Sequence, residues 1–411
     1  MKIRVNHIAQ LLNTRKETKL LRGKELAELP LIRNAWLTSE DGIITGYGGM
    51  EDSFPEGADW TTVDAGGATV LPAWCDSHTH LVFAASREDE FVDKINGLSY
   101  AEIAAKGGGI LQSARRLAAM SEDDLYNAAW QRLQSLMRLG TGAIEIKSGY
   151  GLDTENELKM LRVIRRLKAT APIPVKASFL GAHTYPAAYK EDHEGYIRLI
   201  IQEMLPVIAR EGLADYIDVF CEEGFFGVEE TERICRAGMQ LGLKPKIHAN
   251  QLHASGGVEL GVKLGAVSVD HLESMTATAI QALSGSDTIG TLLPTAAFFL
   301  RMPFQPAREL IQANAAIALA SDFNPGSSPS GNMNFVVSLS CIQMKMQPAE
   351  AINAATLNGA YAMELGEQLG SITVGKRANL IFTQPIPSVN YLPYAFGTNL
   401  IHRVMINGAF I

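Results

Sequence analysis

Eight short apolar runs recur through the middle of the chain, at Ala68–Cys75, Gly142–Ile146, Val175–Leu180, Ile217–Cys221, Lys244–Ala249, Ala266–Val269, Ile289–Leu293 and Ala316–Ala320. Between most of them lie longer stretches with helical spacing, namely Ser121–Leu139, Glu155–Ala169, Glu194–Glu211, Gly227–Leu241 and Pro306–Asn314. Eight strand-like pieces alternating with helices over about 250 residues have the arithmetic of an α/β fold closed into a (β/α)8 barrel. A doubly wound sheet is the rival. It is disfavoured because no G-x-G-x-x-G follows a strand-like run and no G-x-x-x-x-G-K-[ST] occurs. Gly107-Gly108-Gly109 reads as a loop or helix entrance rather than a phosphate cradle.

The two ends of the chain have a different texture. The first 70 residues are short β-like pieces broken at Asp41-Gly42, Gly48-Gly49 and Pro55-Glu56-Gly57. Similar pieces return near the C-terminus at Gly370–Gly375, Ala378–Phe382 and Arg403–Ile406, before Asn407-Gly408. The expectation is a small β-sandwich built from residues 1–70 and 366–411, flanking a barrel at 71–365.

Composition excludes several classes of function. With 47% hydrophobic and 19% charged residues the chain can bury a large core, which rules out disorder, collagen and coiled coil. Lys plus Arg number 36 against 44 Asp plus Glu, and no basic run exists, so nucleic acid is not an expected partner. A small anionic substrate remains admissible, because one buried arginine can reverse the local field. Met1–Asn13 lacks the apolar core and cleavage site of a signal peptide, and Leu292–Leu300 is far too short to span a membrane. Cys75, Cys221, Cys235 and Cys341 are scattered, as reduced core thiols would be. The expected setting is cytoplasmic, without a membrane partner.

In a barrel, catalytic side chains sit at the C-terminal ends of strands. His78 and His80 follow the first run, and an i, i+2 spacing in extended backbone turns both imidazoles to one face. His248 ends the fifth run, His271 follows the sixth and Asp322 the eighth. A lone histidine at such a place is more often structural. Joint occurrence of His78, His80, His248, His271 and Asp322 in this register points instead to a mononuclear site for one zinc or iron ion.

This constellation resembles the amidohydrolase superfamily, and so do its flanks: VDAGGATVLP at Val63–Pro72, DSHTHL at Asp76–Leu81 and GKRANLI at Gly375–Ile381. Ala73 and Asn379 stand where the superfamily usually has Gly and Asp. Six further motifs resemble the imidazolonepropionase family of histidine degradation: FAASREDEF (Phe83–Phe91), GGGIL (Gly107–Leu111), EIKSGYGL (Glu145–Leu152), GAH (Gly181–His183), SVDHL (Ser268–Leu272) and ASDFNPGSS (Ala320–Ser328). PYAFGTN at Pro393–Asn399 extends the likeness almost to the end.

The resemblance implies hydrolysis of the cyclic amide of 4-imidazolone-5-propanoate to N-formimidoyl-L-glutamate. It implies that His78, His80, His248 and Asp322 hold the metal, that Arg87, Tyr150, His183 and Gln251 contact the substrate and that Asn324, Gly326 and Ser327 line the pocket, with Tyr100 a weaker candidate. Arg87 is expected to bind the propionate, with Tyr150 and His183 assisting. Asp322 and His271 would manage protons and the developing oxyanion. Gln251 replaces the glutamate that related deaminases carry, and an amide cannot shuttle a proton at neutral pH. Lys147 follows the second run, whereas a metal-bridging carboxylated lysine belongs near the fourth. His7, His193, His253 and His402 read as surface or structural. A deaminase or other cyclic-amide hydrolase, or a non-catalytic scaffold, would be the alternatives. A homodimer is the default assembly.

Overall fold

The computed structural model describes residues 1–52, 57, 59–98, 102 and 108–411. The expected loop at Pro55-Glu56, Gly107 of the glycine triplet and the candidate Tyr100 lie outside the described residues. The expected parallel eight-stranded barrel with helices outside is present, and both ends of the chain make one further eight-stranded sheet where a sandwich was expected.

The barrel strands are Trp74–Asp76, Thr141–Lys147, Val175–Ala182, Tyr216–Cys221, Lys244–Ala249, Ser268–His271, Ile289–Leu292 and Ile317–Leu319, each pairing with the next in chain order. Closure between the last and the first comes from the segments just beyond them. Thr79 bridges Phe323, His80 N–H donates to the Phe323 carbonyl at 2.8 Å, and Asp322 N–H donates to the His78 carbonyl at 3.0 Å. Below this, both Asp76 oxygens accept from Ser321, at 3.0 Å from its N–H and 2.6 Å from its hydroxyl.

Three expectations are corrected. Ala68–Cys75 is two strands, not one: Thr69–Pro72 joins the terminal sheet and Trp74–Asp76 opens the barrel. Pro72 has no N–H with which to continue a ladder, so the chain changes partners there. The helical stretch Glu194–Glu211 is interrupted by a wide turn at Ile200–Met204, just before Pro206, whose ring cannot carry the regular helical bond. Gly370–Gly375 forms no strand; it contributes only an isolated bridge from Ile372 to Thr14.

In the terminal sheet Lys2–Leu12 pairs with Leu31–Glu40, Thr61–Asp64 and Thr69–Pro72, and Leu380–Thr383 continues it to Ile401–Ile406. Asp41-Gly42 and Asn407-Gly408 make the hairpin turns, with positive φ at both residues of each pair, as a right-handed twist demands. Val5, Ile8, Leu37, Phe382 and Met405 form a core separate from that of the barrel. Among the described residues no helix is long and apolar enough to cross a membrane.

Candidate metal centre and substrate cavity

Closure of the barrel sets the site. Because His78 and His80 pair with the segment after the eighth strand, both imidazoles come beside Asp322: His78 Nε2 lies 3.5 Å and His80 Nε2 3.6 Å from Asp322 Oδ1. His248 reaches the same space from the fifth strand, its ring centre 4.5 Å from that of His78. Two ligand sets, His78/His80/Asp322 and His78/His248/His271, each gather within 4.8 Å and share His78. His271 is thus nearer the proposed ligands than its separate sequence position suggested. Asp322 and His271 both hold positive φ, +50° and +88°, a conformation non-glycine residues seldom keep without a reason.

The donor chemistry fits a cation. His78 Nε2, His248 Nε2 and Asp322 Oδ1 are buried, and none has a hydrogen-bond partner among the described residues. Burial, reinforced for His78 and His248 by the charge of Lys147, holds the pKa of His78, His80 and His248 well below the ordinary imidazole value, so the rings are neutral. Asp270 Oδ2 accepts from His78 Nδ1 at 2.6 Å and Asp218 Oδ1 from His248 Nδ1 at 3.0 Å. Each Nδ1 therefore carries the proton, and each Nε2 lone pair is left for a metal.

Beneath the histidines the barrel is filled with charge instead of aliphatic side chains. Glu145, Lys147, Asp218, Lys246 and Asp270 are all fully buried. Lys147 Nζ lies 2.6 Å from Glu145, 2.7 Å from Asp218 and 3.5 Å from Asp270, while Lys246 pairs with Glu145. Burial alone would lower the pKa of Lys147, but these carboxylates raise it, so it is an ammonium. A carbamate needs the neutral amine, and this geometry does not supply one. Two ammonium groups face three carboxylates here, so the layer beneath the histidines carries an excess of negative charge.

Above the centre an inner space of about 60 Å³, lined by His80, His248, His271 and Asp322, opens into a chamber of about 600 Å³. Tyr150, His183, Gln251, Asn324 and Ser327 line both. Arg87 and Gly326 line the outer chamber. Arg87 is also ion-paired to Glu90 at 2.7 Å. His183 Nδ1 is 2.9 Å from the Gly149 carbonyl, which can only accept, so the proton is on Nδ1. Burial pushes its pKa down to about 4, leaving Nε2 as an acceptor. Burial raises the Tyr150 hydroxyl, which stays protonated. Burial likewise pushes the Asp322 carboxyl up to about 7, against the pull of His271. Burial would lower His271, but Glu273 and Asp322 outweigh it and raise its pKa.

Sequence reasoning missed several participants. Lys94, seven residues after Arg87, puts a second cation in the chamber wall, 3.3 Å from the Gly326 carbonyl. Glu157 accepts from the N–H groups of Gly149, Gly151 and Leu152 at 3.1, 2.6 and 3.1 Å, and so holds the loop that carries Tyr150. Glu222 accepts from Leu252 and His253, bracing the loop of Gln251. The charged layer had a visible signal: E-I-K, K-I-H and S-V-D alternate at Glu145–Lys147, Lys246–His248 and Ser268–Asp270.

The sequence profile of the Amidohydrolase family matches residues 69–411. An imidazolonepropionase from Flavobacterium johnsoniae is 57% identical, with 99% of each chain aligned. Another from Christiangramia forsetii is 54% identical over the whole of both, and one from Clostridium tetani 43% identical over 94% of this chain and 92% of its own. Among solved structures, a guanine deaminase from E. coli superposes with a TM-score of 0.75 at 13% identity, covering 100% of this chain and 99% of its own. An adenosine deaminase from Xanthomonas campestris with bound zinc gives 0.72 at 17% identity, covering 99% and 92%. At such identities these two likenesses concern the fold.

Proposed function

The chain belongs to the amidohydrolase family and, within it, to the imidazolonepropionases, and on that premise we propose a division of labour among its own residues. The reaction is the metal-dependent hydrolysis of 4-imidazolone-5-propanoate to N-formimidoyl-L-glutamate in histidine degradation. His78, His80, His248 and Asp322 hold one zinc or iron ion. The observation that carries this reading is the set of partnerless buried acceptors, His78 Nε2, His248 Nε2 and Asp322 Oδ1, at the closed end of the cavity. When bound, such a cation supplies Lewis acidity, lowering the pKa of water and polarising a carbonyl.

The protein's own groups do the rest. A water oxygen bonds to the ring carbonyl carbon, the adjacent C–N bond breaks, and the departing nitrogen takes a proton. Asp322 accepts the water proton and passes it to that nitrogen, while His271, backed by Glu273 at 3.4 Å, donates to the carbonyl oxygen. Arg87 binds the propionate. His183, with its Nε2 lone pair, suits a ring N–H better than a carboxylate, which changes the assisting part expected of it. Gln251 both donates to and accepts from the ring. Asn324 Oδ1 accepts from Gly326 and Ser327 N–H at 2.8 Å each, stiffening the loop that walls the pocket.

A cytoplasmic setting and a homodimer belong to the same reading. The first is supported by four free thiols. The second is supported by exposed Ile342, Tyr394 and Phe396, carried on or just after two helices that pack together. The decisive experiment is turnover of freshly made imidazolone propionate with and without a chelator. Turnover that a chelator leaves intact overturns the metal assignment. Ammonia release from a purine with no imidazolone turnover would favour a deaminase.

A further inference from the structure

Lys147 lies at the end of the second barrel strand, outside the ligand set and outside both chambers, and is fully buried. Its place is explained by what its partners hold. Asp218, on the fourth strand, offers Oδ2 to Lys147 at 2.7 Å and Oδ1 to His248 Nδ1 at 3.0 Å. Asp270, on the sixth, has Oδ2 3.5 Å from Lys147 and 2.6 Å from His78 Nδ1. One ammonium therefore touches both carboxylates that orient histidines from the first and fifth strands. Asp218 and Asp270 straddle the fifth strand, and two buried carboxylates on one level repel unless a cation lies between them.

We propose that Lys147 is a positioning residue for the metal centre, locking Asp218 and Asp270 in the rotamers that aim His248 and His78 at the ion. This rests on the ligand assignment made above. The two arms differ in strength. Asp270 is also held by the Ser268 hydroxyl at 2.6 Å on Oδ1, whereas the remaining Asp218 oxygen is already used by His248. Loss of Lys147 thus disturbs His248 more than His78. Lys246 is the internal control: equally buried, it pairs directly with Glu145 and reaches the two orienting aspartates only through longer-range charge.

The test is zinc affinity, measured by competition with a chromogenic chelator on metal-stripped protein, together with the visible spectrum of the cobalt-substituted form. Lys147→Met should weaken zinc binding about tenfold, the lower end of the roughly 10–100-fold cost of losing a metal ligand's own partner because Lys147 acts one contact further out, and change the cobalt spectrum. Lys246→Met should stay within about threefold of wild type on that scale. Equal weakening in both variants, or wild-type affinity and spectrum in Lys147→Met, overturns the proposal. Wild-type protein that binds no zinc overturns the ligand assignment instead. Should Lys147→Met not fold, Lys147→Arg keeps the charge but cannot repeat both short contacts; an unaltered affinity and spectrum there refutes positioning. In metal-free wild type, long-range nitrogen-15 spectra should find His78 and His248 protonated on Nδ1, and the opposite tautomer refutes the proposal without any variant.

Discussion

Replacing Arg87 with methionine tests whether the outer chamber recognises a carboxylate. Arg87 Nε and Nη2 both donate to Glu90 Oε2, at 2.9 and 2.7 Å. Nη1 lies against Gly326, where an added Cβ would come within 2.4 Å of it, so this nitrogen faces the chamber wall. Lys94 adds a second cation to the same chamber wall. Losing one side of a desolvated charge pair costs about 2–4 kcal/mol. At 1.4 kcal/mol per tenfold this is roughly 30- to 700-fold in kcat/KM, with Lys94 favouring the lower end. Glu90 would lose its cation and keep the Gly109 N–H at 2.9 Å, so a folding effect must be separated. The double variant Arg87→Met, Glu90→Gln removes that stranded charge. The assay is kcat/KM for the imidazolone propionate and for an imidazolone lacking the side chain, followed by ultraviolet absorbance. Both variants should lose activity on the first compound and little on the second. Equal losses on the two compounds, or full recovery in the double variant, would refute the clamp.

Asp322→Asn should lower kcat by about 10²-fold or more while KM changes little, with metal content measured alongside; a loss confined to KM would contradict its role as base. Gln251→Glu should keep measurable hydrolysis, because a carboxylate can still accept from the ring; complete inactivation with metal retained would count against an orienting role. Glu157→Gln presents an amide to backbone N–H groups that need an acceptor, so KM should rise about tenfold as Tyr150 and the Gly149 carbonyl shift. An unchanged KM would sink that reading. Burial pushes the Glu157 carboxyl up to about 7, against its backbone hydrogen bonds. Between the ordinary carboxylate value and that pH the folded state keeps a proton that the unfolded chain has lost. Stability should therefore fall as pH rises through this window, and Glu157→Gln should flatten the slope in urea unfolding.

Much of this protein was legible before its structure. Alternation of apolar runs with helical stretches depends on local side-chain geometry, and it announced the barrel. The i, i+2 histidines, His248 and Asp322 were visible because strand ends are where a barrel exposes polar groups. Asp41-Gly42 and Asn407-Gly408 were visible as turns because positive φ favours Gly, Asn and Asp. Local spacing determines which face a side chain takes, but not which residues of distant strands share a level. Only closure between the segments after the first and eighth strands brought Asp322 beside His78 and His80. Only the register of strands two, four and six put one ammonium on both Asp218 and Asp270, 71 and 123 residues from Lys147 in the chain. Lys94 and Glu157 escaped notice for the same reason: each is an unremarkable charge on a helix until the fold turns it onto the Gly326 carbonyl or the loop of Tyr150. Chain chemistry determined the list of candidates, and the tertiary structure decided their partners, because pairing across a closed barrel is a property of register that no local pattern encodes.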